Sequence, residues 1–272
     1  MSVINTNVNA LFAQSALRVN NRSLSSAMEQ LSTGSRINSA KDDAAGVAIA
    51  STMTSQIRGL SQAVRNVNDG VNLLQTAEGA MIEQTNMLQR MRELAMQAST
   101  DTVSTDQKTY LNNEYTALKS QITQITTGTQ WNGENILDGS GGNAGVYSIA
   151  VDPNGGNTID VTIASMTPLT ASLGTISTSA GASSALGAID AALTTLNGSR
   201  SEIGAGINRL NYAGDNMNNI IQNATASRSQ VLDTDYATAT TQLARSQIIQ
   251  QAATAMLAQA NQQPQTVLAL LK

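Results

Sequence analysis

The chain of 272 residues contains no cysteine and no histidine. The first absence removes disulfides and thiolate chemistry; the second removes the commonest metal ligand and the commonest general base. One Phe, one Trp and five Tyr are too few to build a compact aromatic core. Charge is scarce as well: 12% of residues are charged, the net charge is −4 and the pI is near 4.8. No basic face for nucleic-acid phosphates is expected from such a balance. No apolar run reaches the ~18 residues that a membrane-spanning helix needs. The N-terminus has neither a basic start nor an apolar core segment, its first cation being Arg18, so export by a cleaved signal is not expected. There are three prolines, and none lies between Ala40 and Gln130.

What the chain has is period. Ala50, Met53, Ile57, Leu60, Val64, Val67, Val71 and Leu74 follow alternating steps of three and four, and Met81 and Leu88 continue the series. That spacing places all of them on one stripe of one helix. Gly59, Gly70 and Gly79 each weaken a helix by about 1 kcal/mol against Ala without ending it. A helix over residues 43–99 would be roughly 85 Å long at about 1.5 Å per residue. A stripe of that length must be covered by partner helices, in this chain or in copies of it. Ser104-Thr105-Asp106-Gln107 has the form of a capping box. The helix it starts carries Leu111, Tyr115, Leu118, Ile122 and Ile125, and a short connection returns it antiparallel along the first. The period reappears from Leu186 through Ile189, Leu196, Ile203, Leu210 and Met217 to Val231, interrupted by Arg200, Gly214 and Arg228. The two long helices are expected to pair, with the Leu111–Ile125 helix as third member.

Between them, from Gly139, the composition shifts to Gly, Ser and Thr. Tyr147, Ile149 and Val151 alternate, as do Ile159, Val161 and Ile163, which predicts a β-hairpin at about residues 146–163. Its loop, Asp152-Pro153-Asn154-Gly155-Gly156-Asn157, has the start of a calcium loop, but Ile163 stands where a bidentate Glu is required. Residues 165–184 read as irregular.

The two ends differ from the middle. Residues 1–34 form a helix after Asn5-Thr6-Asn7 with a thin apolar face, and Gly34 closes it. A loop from Arg36 leads to Asp42 and Asp43 at the next helix start. Asp233-Thr234-Asp235 breaks the second long helix. The last helix carries Leu243, Ile248, Ile249, Met256 and Leu257, Pro264 is expected to end it, and Val267, Leu268, Leu270 and Leu271 make an apolar tip. Such sparse stripes bury too little to offset the entropy of ordering them alone. The expected fold is mainly α: a long antiparallel helical coiled-coil rod with one small β-hairpin. Residues 43–234 form the rod, with a short variable segment at 164–184. Residues 1–42 and 235–272 form a terminal coiled-coil domain, disordered in the monomer.

Several stretches carry a resemblance. They are Asn5-Thr6-Asn7, Arg36-Ile37-Asn38-Ser39-Ala40-Lys41-Asp42-Asp43-Ala44-Ala45-Gly46, Asn66-Val67-Asn68-Asp69-Gly70, Gln89-Arg90-Met91-Arg92-Glu93-Leu94-Ala95, Asp235-Tyr236-Ala237 and Leu257-Ala258-Gln259-Ala260-Asn261. Over about residues 1–140 and 184–272 the chain resembles bacterial flagellin. It departs at Trp131, where the family usually has Phe, and at Lys272, where Arg is commoner.

The resemblance implies a secreted structural subunit that polymerises into the extracellular filament of the bacterial flagellum. The termini would form the inner filament layer, and outer domains would be absent or vestigial. The alternative within the same architecture is a hook–filament junction protein. The implied partners are copies of the chain, the export chaperone FliS, the filament cap, hook-associated junction proteins, and the host Toll-like receptor 5 and NAIP receptors. Gln89, Arg90, Leu94 and Glu114 match family positions of receptor contact. Leu243, Ile249, Met256, Leu257, Val267, Leu268, Leu270 and Leu271 are candidates for polymerisation and chaperone binding. No cofactor, metal or catalysis is implied. The carboxylate pairs Asp42/Asp43 and Asp233/Asp235 read as helix caps.

Overall fold

The computed structural model describes the backbone of residues 6–270 and the side chains of residues 6–262. Its elements are α1 (Val8–Thr33), α2 (Ala44–Ser99), α3 (Thr105–Gly128), β1 (Gln130–Trp131), β2 (Glu134–Asn135), β3 (Val146–Ala150), β4 (Thr158–Thr162), α4 (Pro168–Ala171), α5 (Ser179–Leu232) and α6 (Tyr236–Leu270). They divide into two compact units, residues 1–55 with 223–272, and residues 56–222. The fold is mainly α, as the periodicity requires.

The element starts follow from local chemistry. Ser104 Oγ accepts from the Gln107 amide and Gln107 Oε1 accepts from the Ser104 amide, completing the box that opens α3. Gly34 closes α1 at φ 70°, the left-handed region that costs a side-chain-free residue nothing. The hairpin register pairs Tyr147 with Val161 and Ile149 with Ile159. A second ladder, β1 with β2, closes around Asn132-Gly133, both at positive φ as a two-residue hairpin turn demands.

In the unit of residues 56–222, α5 lies antiparallel to α2. Arg92 bonds Asp190, Arg200 approaches Glu78 at 3.7 Å, and Gly214 lies against Val67. α3 also runs antiparallel to α2, linked by Gln84–Thr126 and Arg90–Glu114. The row Leu60, Val67, Leu74, Met81, Leu88, Ala95 is buried, as the stripe predicts. Its companion row is not Val64 and Val71, which are only half-buried. It is Ala63, Gly70, Ala77, Gln84, Met91 and Ala98, one position earlier. The reason is approach. A Cβ at Gly70 would collide with Ile149 Cδ1, one at Gly59 would stand 2.7 Å from the Pro153 carbonyl oxygen, and one at Gly206 2.9 Å from Val161 Cγ1. The hairpin therefore seats its apolar residues in notches that these glycines leave on α2 and α5. Each notch forgoes about 1 kcal/mol of helix propensity, which burial of Ile149 and Val161 offsets.

The expectation of an irregular 165–184 segment is corrected. Met166, Leu169, Leu173 and Ile176 are buried, α4 forms within the segment, and α5 starts at Ser179, ahead of Leu186. Backbone and side-chain bonds hold it: Met166 N–H donates to Leu137 O at 2.8 Å, Ile176 N–H to Asn112 Oδ1 at 2.9 Å, and Lys119 Nζ to Leu173 O. Pro264 does not end the last helix either, since α6 continues to Leu270.

One buried group is a liability. Tyr115 is fully buried on α3 and its hydroxyl has no hydrogen-bond partner. Burial pushes its pKa up to about 12 from 10.0. The raised value contributes stability that is fully present below pH 10 and lost as pH climbs toward 12. Tyr115→Phe is expected to stabilise the protein by about 1 kcal/mol at neutral pH, because it removes an unpaired polar group. It should also reduce the alkaline loss, the rest staying with Tyr147, whose pKa burial raises as well. Thermal melts at pH 7 and 11 check both.

Candidate functional site

α1 and α6 form the first candidate surface. Asn20 Nδ2 donates to Ser246 O at 2.8 Å in a buried bond, Gln250 Nε2 donates to Asn21 Oδ1 at 3.3 Å, and Asn7 Nδ2 donates to Ala260 O at 2.7 Å. Rising numbers on α1 meet falling numbers on α6, so the pair is antiparallel. It buries little beyond Ala27, Asn20, Ala239 and Ser246. The pair leaves its large apolar side chains in solvent: Phe12 is 72% exposed and Met256 66%, and Leu11, Val19, Ile248 and Ile249 are exposed as well. A groove of about 590 Å³ runs between Phe12, Ala13, Ala16 and Ala253, Met256, Ala260. Leu243 and Leu257 are half-buried. Met256, one of the apolar residues of the last helix, is a surface residue of this chain. The side chains of Val267, Leu268 and Leu270, and all of Leu271, lie outside the described residues.

The stretch Arg36–Gly46 joins the two ends of the chain. Arg36 N–H donates to Leu232 O at 2.7 Å and its Nη2 to Val231 O at 2.8 Å. Thr234 N–H donates to Gly34 O at 3.0 Å, and Ser35 bridges to Asp233. Ile37 is buried against Gly46, whose missing side chain makes the room. Asp43 Oδ1 caps α2 through the Gly46 amide, and Asp42 accepts from the amides of Asn38 and Ser39 and the Ser39 hydroxyl. Asp235 caps α6 through the Ala237 amide and the Thr238 hydroxyl, while Asp233 takes the Ser229 hydroxyl.

The Ser39 hydroxyl above all holds the Asp42 carboxyl below its ordinary 3.8, and the Thr238 hydroxyl does the same for Asp235. Depressed values contribute stability above the ordinary pKa and lose it as pH falls through the folded one. Acid below pH 3.8 is therefore expected to loosen this junction, and Asp42→Asn to flatten that dependence. Amide exchange of residues 36–46 across pH 5 to about 2 measures it.

The third surface lies on α2 and α3. Arg90 Nε donates to Glu114 at 3.0 Å and Nη1 to Glu93 at 2.9 Å, all three exposed. These bonds, Glu93 first, raise the guanidinium pKa. Gln89 is exposed one position before. Leu94 is not part of this surface: it is 1% exposed and packs beneath it. The stretch Gln89–Ala95 straddles a covered and an open face, and its sequence does not say which is which. The neighbouring Arg92–Asp190 pair joins residues far apart in the chain and left no sequence signal.

Among the described residues no three His, Cys, Asp or Glu stand together to hold a metal ion, and no helix is long and apolar enough to cross a membrane. Known proteins give the comparison. The family model for the bacterial flagellin N-terminal helical region matches residues 4–141, and that for the C-terminal helical region matches residues 186–271. A flagellin of Halalkalibacterium halodurans is 42% identical across 99% of this chain and 100% of its own. Flagellin A of Vibrio cholerae is 33% identical over 99% of each chain, in an alignment of 375 positions that gives it insertions this chain lacks. The crystal structure of Bacillus cereus flagellin superposes with a TM-score of 0.52 at 30% identity, covering 56% of this chain and 88% of that one. A putative flagellar hook-associated protein from Vibrio parahaemolyticus shares the fold, with a TM-score of 0.62 at 15% identity over 71% of this chain and 100% of that one.

Proposed function

The chain belongs to the bacterial flagellin family and is a structural subunit of the flagellar filament, and from that premise we propose how its ends serve assembly and which partners read its surfaces. α1 and α6 reach their full helical order only against neighbouring copies. The observation that carries this reading is the exposed set of Phe12, Leu11, Ile248 and Met256, apolar area that one chain leaves in water and a second covers. In the test, Phe12→Ser with Met256→Ser is offered to filament seeds. The double variant is expected not to add, while its melting stays near wild type because neither residue belongs to the buried core. Normal addition overturns the reading.

The subunit leaves the cell through the flagellar export channel as an unfolded chain, for which the absence of cysteine suits it. It adds beneath the filament cap and meets hook-associated junction proteins at the filament base. A junction role for the chain itself is not favoured, since full-length relatives are named flagellins. The last segment, residues 235–272, is what FliS holds before export and what NAIP receptors sense in a host cell. The subunit works as a scaffold and not as a catalyst.

Toll-like receptor 5 reads the exposed Gln89, Arg90 and Glu114 of the free subunit. Arg90→Ala is expected to lower the receptor response of monomeric protein without lowering its melting temperature. Leu94→Ala acts through packing instead, since it opens a cavity at a fully covered site. An unchanged response with Arg90→Ala removes that surface from the receptor footprint.

A further inference from the structure

α6 runs through position 264, where proline supplies no backbone N–H. The carbonyl four residues earlier, that of Ala260, is thereby left without its helical donor. The Asn7 side-chain amide fills the place, with Nδ2 donating to Ala260 O at 2.7 Å. The same side chain starts α1: Asn7 Oδ1 accepts from the Ala10 amide at 3.1 Å as N-cap. Asparagine carries its donor and its acceptor on separate atoms, so Oδ1 can cap α1 while Nδ2 reaches across to α6; a serine or threonine hydroxyl has both on one oxygen. Asp lacks the donor and Ser lacks the reach, although both cap a helix as well as Asn does.

We propose that Asn7 is the positioning residue that sets the register of the terminal helix pair, by capping the start of α1 and the carbonyl that Pro264 exposes with one side chain. The pair needs such a device. Its covered residues are small or polar, and similar small residues recur along both helices, so apolar packing distinguishes one register from the next only weakly. A polar key at one position selects a register where packing does not. Asn20, buried and bonded to Ser246 O, is a second key thirteen residues on, matched by fourteen on α6. Pro264, which the sequence presents as a helix terminator, becomes the mark on α6 that the other end of the chain finds.

The inference rests on the reading that the paired ends build the filament, and the experiment separates the two. Full-length chains are grown from seeds and the critical concentration is read by sedimentation. Asn7→Asp and Asn7→Ser both keep a cap for α1 and both lose the amide donor. Each is expected to raise the critical concentration about tenfold, the loss of one hydrogen bond per subunit. Pro264→Ala returns an N–H to Ala260 O, so Asn7→Ser in that background should fall within about twofold of Pro264→Ala alone. Pro264→Gln restores the same N–H and replaces Pro264→Ala if that variant does not assemble. Wild-type assembly by both Asn7 variants overturns the proposal, as does a defect that persists once the N–H is restored. A chain lacking both ends is the control. If it polymerises, the assembly reading fails; if it does not while the Asn7 variants behave as wild type, only the register role fails.

Discussion

Deletion of residues 1–42 and 235–272 is expected to abolish filament growth and to leave the remaining chain folded. The apolar core runs from Leu60 to Met217, so the deletion removes none of it. Each large side chain in that core contributes about 1.5–3 kcal/mol, and the caps of α3, the hairpin ladder and the glycine notches all stay in place. What is lost is α1, α6 and the Arg36–Asp43 stretch that ties Gly34 to Thr234. The exposed Phe12, Ile248 and Met256 go with them. Far-UV circular dichroism should show a cooperative helical melt, and seeded sedimentation no polymer at any concentration the full chain needs. Leu257→Asp should behave like the deletion, because a charge covered by neighbouring copies costs several kcal/mol per subunit. Filaments of normal stability from the shortened chain would place the assembly element in residues 43–234.

Leu173→Ala is expected to lower the stability of the core by about 2–5 kcal/mol, the range for emptying a covered Leu site. Leu173 is 1% exposed in a segment whose composition suggests a dispensable linker. Its carbonyl accepts from Lys119 Nζ, and Ile176 beside it hangs from Asn112, so the surrounding backbone has little freedom to collapse into the space. Thr175→Ala, on the open side of the same loop, should change stability by no more than about 0.5 kcal/mol. Denaturant unfolding of the two variants compares them directly. Equal, small effects would mean that residues 165–178 are an ornament on the helices and not a part of the core.

The main helices and the hairpin could be read from the chain because their signals are local. A three–four step in α2 and α5, the Ser104-Gln107 box, and alternation at Tyr147–Val151 and Ile159–Ile163 depend only on neighbours in sequence. The motifs that carried the family resemblance were legible for the same reason, being contiguous. The sequence shows α5 only from Leu186, because its first turns are Ala, Gly and Ser, with little periodic contrast. The plug at Met166, Leu169, Leu173 and Ile176 did carry a helical step, three then four then three, but Gly, Ser and Thr around it hid the period.

Other features were decided by partners distant in the chain. Whether Leu94 faces a receptor or the core depends on what covers that side of α2. Gly59 and Gly70 read as weak points until Pro153 and Ile149 are set against them. Pro264 reads as a stop until Asn7 meets Ala260. By itself the sequence determined the long helices and the β3–β4 hairpin, where most of them begin, and that the ends are thinly apolar. The tertiary structure alone decided which side of each helix is covered and where backbones approach closely enough to require glycine. It also decided which orphaned group finds a donor from the other end of the chain. Periodicity is a property of neighbours along the chain, whereas burial and hydrogen-bond satisfaction are properties of whatever arrives from elsewhere.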